Sequence, residues 1–387
     1  MEVYVLDDLL RRTEVIDRFE SLIWTDRWRD VGDFELKVAA TTEMRRYLKV
    51  GTLLAMNESD RMMEIESFEN AKNDDGHKLI TVKGRSLEHI LDDRIATTGM
   101  AGLTSDTDWI IEGTPGDIAR KIFNDICVMG ILSESDKIPF YTPGTTYAPN
   151  TIPEPSMFYS ASIPLGTVLK AIKDLCDVYD LGFRLVRNLD NSQVFFHIYT
   201  GDDHTTQQTL LPAVVFSPDF GNLTNPNELV SISALKNVAY VFAQNGSEIV
   251  YAEGASVTTA GFQRRVIHVD ATDVSEPAGP ALTSILQNKG FEALAKNRSL
   301  AAFDGEISQY SNYKYNQHYR LGDLVEMRND DGATNQMRVT EQIFASDAEG
   351  ERSYPTLATE SYIMPGTWDA WDANAVWDLA EGTWDDA

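Results

Sequence analysis

Two distant stretches of this chain are written almost alike, Lys49-Val50-Gly51-Thr52-Leu53-Leu54-Ala55-Met56 and Arg320-Leu321-Gly322-Asp323-Leu324-Val325-Glu326-Met327. Each sets a basic residue, an aliphatic and a glycine ahead of a short apolar run, which reads as a turn entering a strand. The likeness extends to Asn73-Asp74-Asp75-Gly76 after the first copy and Asn329-Asp330-Asp331-Gly332 after the second. Asp-Gly between strand-like runs marks a hairpin turn, because glycine reaches positive φ without steric cost. Met63-Glu64-Ile65 and Met337-Arg338-Val339 also lie near those turns, before the first and after the second, so the pieces recur without keeping strict order. Either two β-rich segments of similar composition match by chance, or the chain carries a duplicated β-unit in which Gly51, Gly322, Gly76 and Gly332 are the turn positions.

A chain of 387 residues exceeds one core, and ordinary domain size gives about two to four domains. Sixty acidic against 33 basic residues leave a formal charge of −27. That argues against tight nucleic-acid binding, which needs a basic footprint, and suits a surface that DNA passes without adhering. No apolar run approaches the roughly 18 residues of a membrane span, and Met1-Glu2-Val3-Tyr4 lacks a signal peptide's basic start and apolar middle. Synthesis and folding in a cytoplasm are expected. Cys127 and Cys176 both fall in helix-like patterns, where a buried reduced thiol is expected and no disulfide framework is possible.

From Val3 to about Ile95 the signal is β, with strict alternation in Phe34-Glu35-Leu36-Lys37-Val38, and a helical turn closes the unit at Ser86 to Leu91. Thr114-Pro115-Gly116-Asp117 then spells a helix start, followed by an apolar stripe of Ile118, Ile122, Phe123 and Ile126. A second helix is expected from near Ser162 and Pro164 to Gly182, and strands from Phe183 to Val186 and Val194 to Tyr199. Five prolines from Pro139 to Pro155 mark a long loop between the helices. Strands resume at Val214 and at Val238 to Tyr251. A small piece with a strand at Arg265 to Val269 and a helix from about Ser284 to Arg298 follows, and β returns at Gly305. The expected fold class is α+β, mainly β, with units at 1–100, 101–205, 206–253 joined with 305–365, 254–304, and a tail at 366–387.

In that tail, Gly366-Thr367-Trp368-Asp369 recurs as Gly382-Thr383-Trp384-Asp385, with Trp371-Asp372 and Trp377-Asp378 between. Four of seven tryptophans thus sit in the last 22 residues. Tryptophan is enriched at interface anchors, so Trp368, Trp371, Trp377 and Trp384 are candidates for docking on a partner; the other reading is an unstructured, adhesive end. The spacing is too short for a propeller blade.

Catalytic signatures are sparse. Asp202-Asp203-His204 is the best metal-like triplet, but consecutive residues diverge and Gly201 marks an exposed turn, so no metal site is assigned. The six histidines never fall at the spacing of two ligands on one helix face, and the chain has no Gly-x-Ser-x-Gly elbow and no phosphate-cradling loop. No cofactor and no catalytic residue are assigned, and a structural or binding protein is favoured over an enzyme.

Four places together resemble the baseplate hub, or minor tail protein, family of siphophages, which is similar in plan to the hub of contractile phage tails. They are Ser21-Leu22-Ile23-Trp24-Thr25-Asp26-Arg27-Trp28 leading to Gly32-Asp33-Phe34-Glu35-Leu36; Gly84-Arg85-Ser86-Leu87 with Arg94; Phe216-Ser217-Pro218-Asp219-Phe220-Gly221-Asn222-Leu223 leading to Lys236-Asn237-Val238-Ala239-Tyr240-Val241; and Tyr313-Lys314-Tyr315 through Leu321-Gly322-Asp323-Leu324-Val325. The resemblance covers about residues 1–363 and none of its motifs is catalytic.

It implies two tube-type β-barrel domains in one chain with two inserted α+β domains. It also implies a homotrimer whose six similar units meet the sixfold tail tube and the distal tail protein, with threefold symmetry toward the tip. The tape measure protein and passing DNA would occupy the lumen, and other tail-tip, baseplate or receptor-binding proteins would be neighbours in the virion. Some relatives add a cell-wall-cleaving or sugar-binding extension. The alternative reading is therefore a tail-tip hydrolase or saccharide-binding protein, with a carboxylate pair in an aromatic cleft of the 101–205 module.

Overall fold

Alternation becomes strand wherever one face can be buried. Asp33–Ala39 buries Phe34, Leu36 and Val38 and turns Glu35 and Lys37 outward, as period two requires. The computed structural model describes residues 1–72, 76–98, 109–138, 150–188, 193–274, 276–307, 311–328 and 334–361. The architecture is mostly β, with four α-helices among the described residues: α1 Thr42–Tyr47, α2 Pro115–Phe123, α3 Val168–Tyr179 and α4 Pro280–Ala295.

Ten strands of the largest sheet form two sets of five. The first set is β1 Ser21–Arg27, β2 Asp33–Ala39, β3 Leu53–Met56, β4 Met62–Lys72 and β5 Lys78–Ser86. The second is β6 Leu223–Ser231, β7 Ser299–Ile307, β8 Leu324–Arg328, β9 Thr334–Asp347 and β10 Gly350–Ser361. Their spatial orders are β1-β2-β5-β4-β3 and β6-β7-β10-β9-β8, the same topology twice. Val3–Leu6 and Arg12–Ile16 extend the sheet beyond β3, and Val215–Phe216 pairs with β8, which makes thirteen strands in all. Among the described residues no pairing joins the two ends of this sheet, so the expected tube-type barrels are not closed by hydrogen bonds within one chain.

The repeat is thus one of topology, and it explains the disordered echo. Leu54 stands opposite Met63 and Val325 opposite Met337, so the two Met-containing triplets occupy one register. The Asn-Asp-Asp-Gly segments do not correspond. Residues 73–76 link β4 to β5, whereas residues 329–332 precede β9; composition, not ancestry of position, made them alike.

The middle of the chain packs on the first repeat. Leu6, Leu10, Met62, Leu87 and Leu91 share one core with Trp109, Ile118, Ile122, Phe123, Ile172 and Phe183. Helix α2 starts as its sequence predicts, with Asp117 N–H donating to Thr114 Oγ1 at 3.3 Å and Pro115 in the first turn. Helix α3 begins later than expected, because Tyr159–Ile163 is drawn into an antiparallel pair with Trp109–Gly113. It stops before Gly182, on Asp180 in the left-handed region at φ 54°.

The strands Val238–Ala243 and Gly246–Tyr251 depart from the division at 254. They pair with each other, and Val238–Ala243 also pairs in parallel with Val266–Asp270, beneath α4. The hairpin expected to belong with the large sheet therefore belongs with the small α/β unit. No helix among the described residues is long and apolar enough to cross a membrane.

Candidate functional site

The two repeats meet along one strand. β9 pairs with β8 through Thr334 to Arg338 and, past a bulge at Thr340, with β1 through Glu341 to Ser346 on the same edge. The ladder runs on to Trp28, whose N–H donates to Thr340 O at 2.9 Å. Each repeat also lends a ring to the other. Phe344 of β9 packs in the core of the first repeat with Trp24 and Phe34, while Trp28, just past β1, packs in the core of the second with Phe216 and Val339. Removing either ring would cost about 3–5 kcal/mol, so the seam is as firmly held as a domain interior.

Charge is buried close to this seam. Asp26, fully buried, accepts from Trp24 Nε1 at 2.9 Å and from Ser59 Oγ at 2.6 Å. Burial pushes its carboxyl up to about 7, against the pull of Arg61. Arg61 is 2% exposed and pairs with Glu88; it also donates to Arg27 O at 2.9 Å and to Phe183 O at 3.3 Å. Burial alone would lower the Arg61 guanidinium, but Glu88 and its neighbours hold it above its ordinary value. Glu88 accepts in turn from Leu185 N–H at 2.7 Å, and Arg184 pairs with Asp60 at 2.6 Å. This buried network ties the first repeat to the strand Gly182–Asn188 through Glu88 Oε1, while Glu88 Oε2 has no hydrogen-bond partner among the described residues. Sequence reading passed over Arg61 and Glu88; the available signal was an acid inside the apolar turn Ser86 to Leu91.

The two repeat glycines are placed alike and used differently. Gly51 N–H donates to Ile65 O at 2.8 Å and Ile65 N–H returns to Thr52 O at 3.0 Å; Gly322 N–H donates to Val339 O at 2.8 Å and Val339 N–H returns to Asp323 O at 2.9 Å. Their φ angles are 86° and 88°. Around Gly51 lies open space, whereas a Cβ on Gly322 would stand 2.7 Å from Trp28 Nε1. The Trp28 ring is further flanked by the guanidinium groups of Arg29 and Arg338 at 4.8 and 4.5 Å. Gly76 also has positive φ, 80°. Gly332 and the four tail tryptophans lie outside the described residues.

The acidic triplet is occupied by protein partners. Asp202 accepts from Thr151 N–H and Asp203 from Thr205 N–H, both at 2.8 Å, and His204 Nδ1 lies 2.9 Å from Pro212 O. Among the described residues no three metal-ligating side chains converge. A cleft of about 560 Å³ lies at the seam, lined by Tyr315, Tyr319, Phe344 and Glu351 among others. Its Tyr315 ring is held edge-on by Tyr319 and Phe344 at 5.8 and 5.7 Å, and its Glu351 pairs with the amino terminus.

The fold is similar to that of solved tail proteins, two of them from prophages. The chain is similar to the tail protein from Neisseria meningitidis MC58, with TM-score 0.52 and 12% identity over 92% of this chain and 96% of that one. It is likewise similar to the prophage MuSo2 43 kDa tail protein from Shewanella oneidensis, with TM-score 0.51 and 12% identity over 92% and 97%. The prophage tail protein gp18 from Listeria monocytogenes EGD-e matches with TM-score 0.52 and 11% identity over 93% and 94%. The chain belongs to the siphovirus ReqiPepy6 Gp37-like family, whose model matches residues 2–357. No curated protein sequence matches it.

Proposed function

We propose that this protein is a structural hub of a siphophage tail tip, a homotrimer whose three chains supply six similar sheet units. Such a ring meets a sixfold tail tube and distal tail protein on one side and a threefold tip on the other, and leaves a lumen for the tape measure protein and for DNA. The observation that carries the reading is the duplication itself: two five-strand units of one strand order, with the same turn and with bulges at Glu66 and Thr340. A chain with two copies of a unit converts threefold into approximate sixfold symmetry when three chains close. The charge of −27 supports the same reading, since a lumen rich in carboxylates lets DNA slide instead of holding it. In this assembly the residues 366–387 reach a neighbouring tip protein through Trp368, Trp371, Trp377 and Trp384.

Light scattering on the purified full chain tests the ring. A mass of three chains is expected at micromolar concentration; a species that stays monomeric at every concentration would overturn the proposal.

A further inference from the structure

The seam inside one chain has a counterpart that no described strand of the same chain fills. β4 corresponds to β9, so Ile65 answers to Val339, and the bulge at Glu66 answers to the bulge at Thr340. Beyond its bulge β9 is covered along one edge by β1, which leaves Gln342 and Phe344 at 0% and 2% exposure. Beyond its bulge β4 has β5 on one side and, among the described residues, no strand on the other. Every residue from Glu66 to Lys72 is exposed, including Phe68 at 38%.

The complementary edge is present in the same chain. β6 corresponds to β1, and it ends the sheet with β7 as its only strand partner among the described residues. Its one irregularity, between Thr224 and Asn227, contains Pro226 and lies ahead of the regular run Asn227 to Ser231. An unpaired strand edge is a template for another strand, and a chain with one acceptor edge and one donor edge associates head to tail.

We propose that β6 of one copy of this chain pairs antiparallel with β4 of the next, repeating between chains the β1–β9 seam found within each chain. The duplication also sets the register. Opposite Gln342 stands Asp26 and opposite Ile343 stands Thr25. Aligning the two repeats strand by strand places Phe68 opposite Val230 and Glu69 opposite Leu229. The charges Glu66, Glu69 and Lys72 along the acceptor edge guard it against indiscriminate strand addition, so the partner that fits is the matching edge of a second copy. This pairing rests on the ring reading above and specifies how the ring is sealed.

Paired cysteines test it, because the chain's own Cys127 and Cys176 are buried and free. Antiparallel pairs alternate between Cα separations of about 5.5 and 4.5 Å. Adjacent pairs therefore sample both spacings, and Phe68→Cys with Val230→Cys and Glu69→Cys with Leu229→Cys are made as two separate double variants. On mild oxidation of the full chain, at least one is expected to give covalent dimers and trimers on a denaturing gel, with no band beyond three chains. Each single variant should give no such ladder. A wild-type trimer by light scattering in which neither pair links would overturn the strand pairing and leave the hub reading standing. A wild-type monomer would overturn both, and linkage into an open ladder beyond three would overturn the closed ring.

Discussion

Asp26 shows how one side chain couples the seam to solution conditions. Its carboxyl titrates near 7 in the folded chain, against an ordinary value of 3.8, and the principal cause is burial. Between those values the folded state holds a proton that the unfolded state has lost. Unfolding therefore releases a proton, and stability falls as pH rises through the window. The Asp26→Asn variant keeps an acceptor for Trp24 Nε1 and removes the ionisation. Its unfolding free energy should change less than the wild type's between pH about 4.5 and 7.5, with the advantage at the upper end on the order of a few kcal/mol. Denaturant unfolding at several pH values measures this; equal slopes for both proteins would show that Asp26 is ionised throughout. Asp26 stood in plain sight in the sequence, yet its burial did not, because Ser59 and Arg61 come from a separate segment and Arg61 is itself held by Phe183 from a third.

At the level of the element, the repeated turn isolates backbone conformation from packing. Gly51→Ala forces a side chain into the left-handed region in open space, which costs about 1–2 kcal/mol. Gly322→Ala carries the same backbone penalty and also drives a methyl group against Trp28 at the seam, adding roughly 1–3 kcal/mol. Urea titrations of the two variants should rank Gly322→Ala clearly below Gly51→Ala; equal losses would mean that the Trp28 contact yields freely.

The echo was legible because it joins features that sequence records directly, a glycine needing positive φ and an aliphatic run entering a strand. The Asn-Asp-Asp-Gly likeness misled because such turns suit any hairpin of that length. The start of α3 and the allegiance of Val238–Tyr251 were illegible for another reason. Both are decided by pairing with partners, Trp109–Gly113 and Val266–Asp270, that no local pattern specifies.

For the whole molecule, the sheet order ties its parts into one mechanical unit. β1 comes near the start of the chain and β9 near residue 340, and their pairing makes the two repeats continuous. Alternation alone could propose the strands of that seam but not their meeting, since register across such a separation is set by three-dimensional closure. The last described strand, β10, ends at Ser361, and Leu357 is its deepest contribution to the second core. A cut after Pro365 therefore removes no described strand and no described core residue. Deleting residues 366–387 should leave the unfolding midpoint and the number of chains in the proposed trimer unchanged, because neither the sheet nor its open edges are touched. If Trp368, Trp371, Trp377 and Trp384 anchor a neighbouring chain, the truncated protein should enter tail tips that stop at the step where that neighbour joins, since hot-spot rings of this kind each carry about 2 kcal/mol or more. Electron microscopy and protein composition of tails assembled with the truncated chain give the measurement; complete tips of normal infectivity would remove any docking role from the tail.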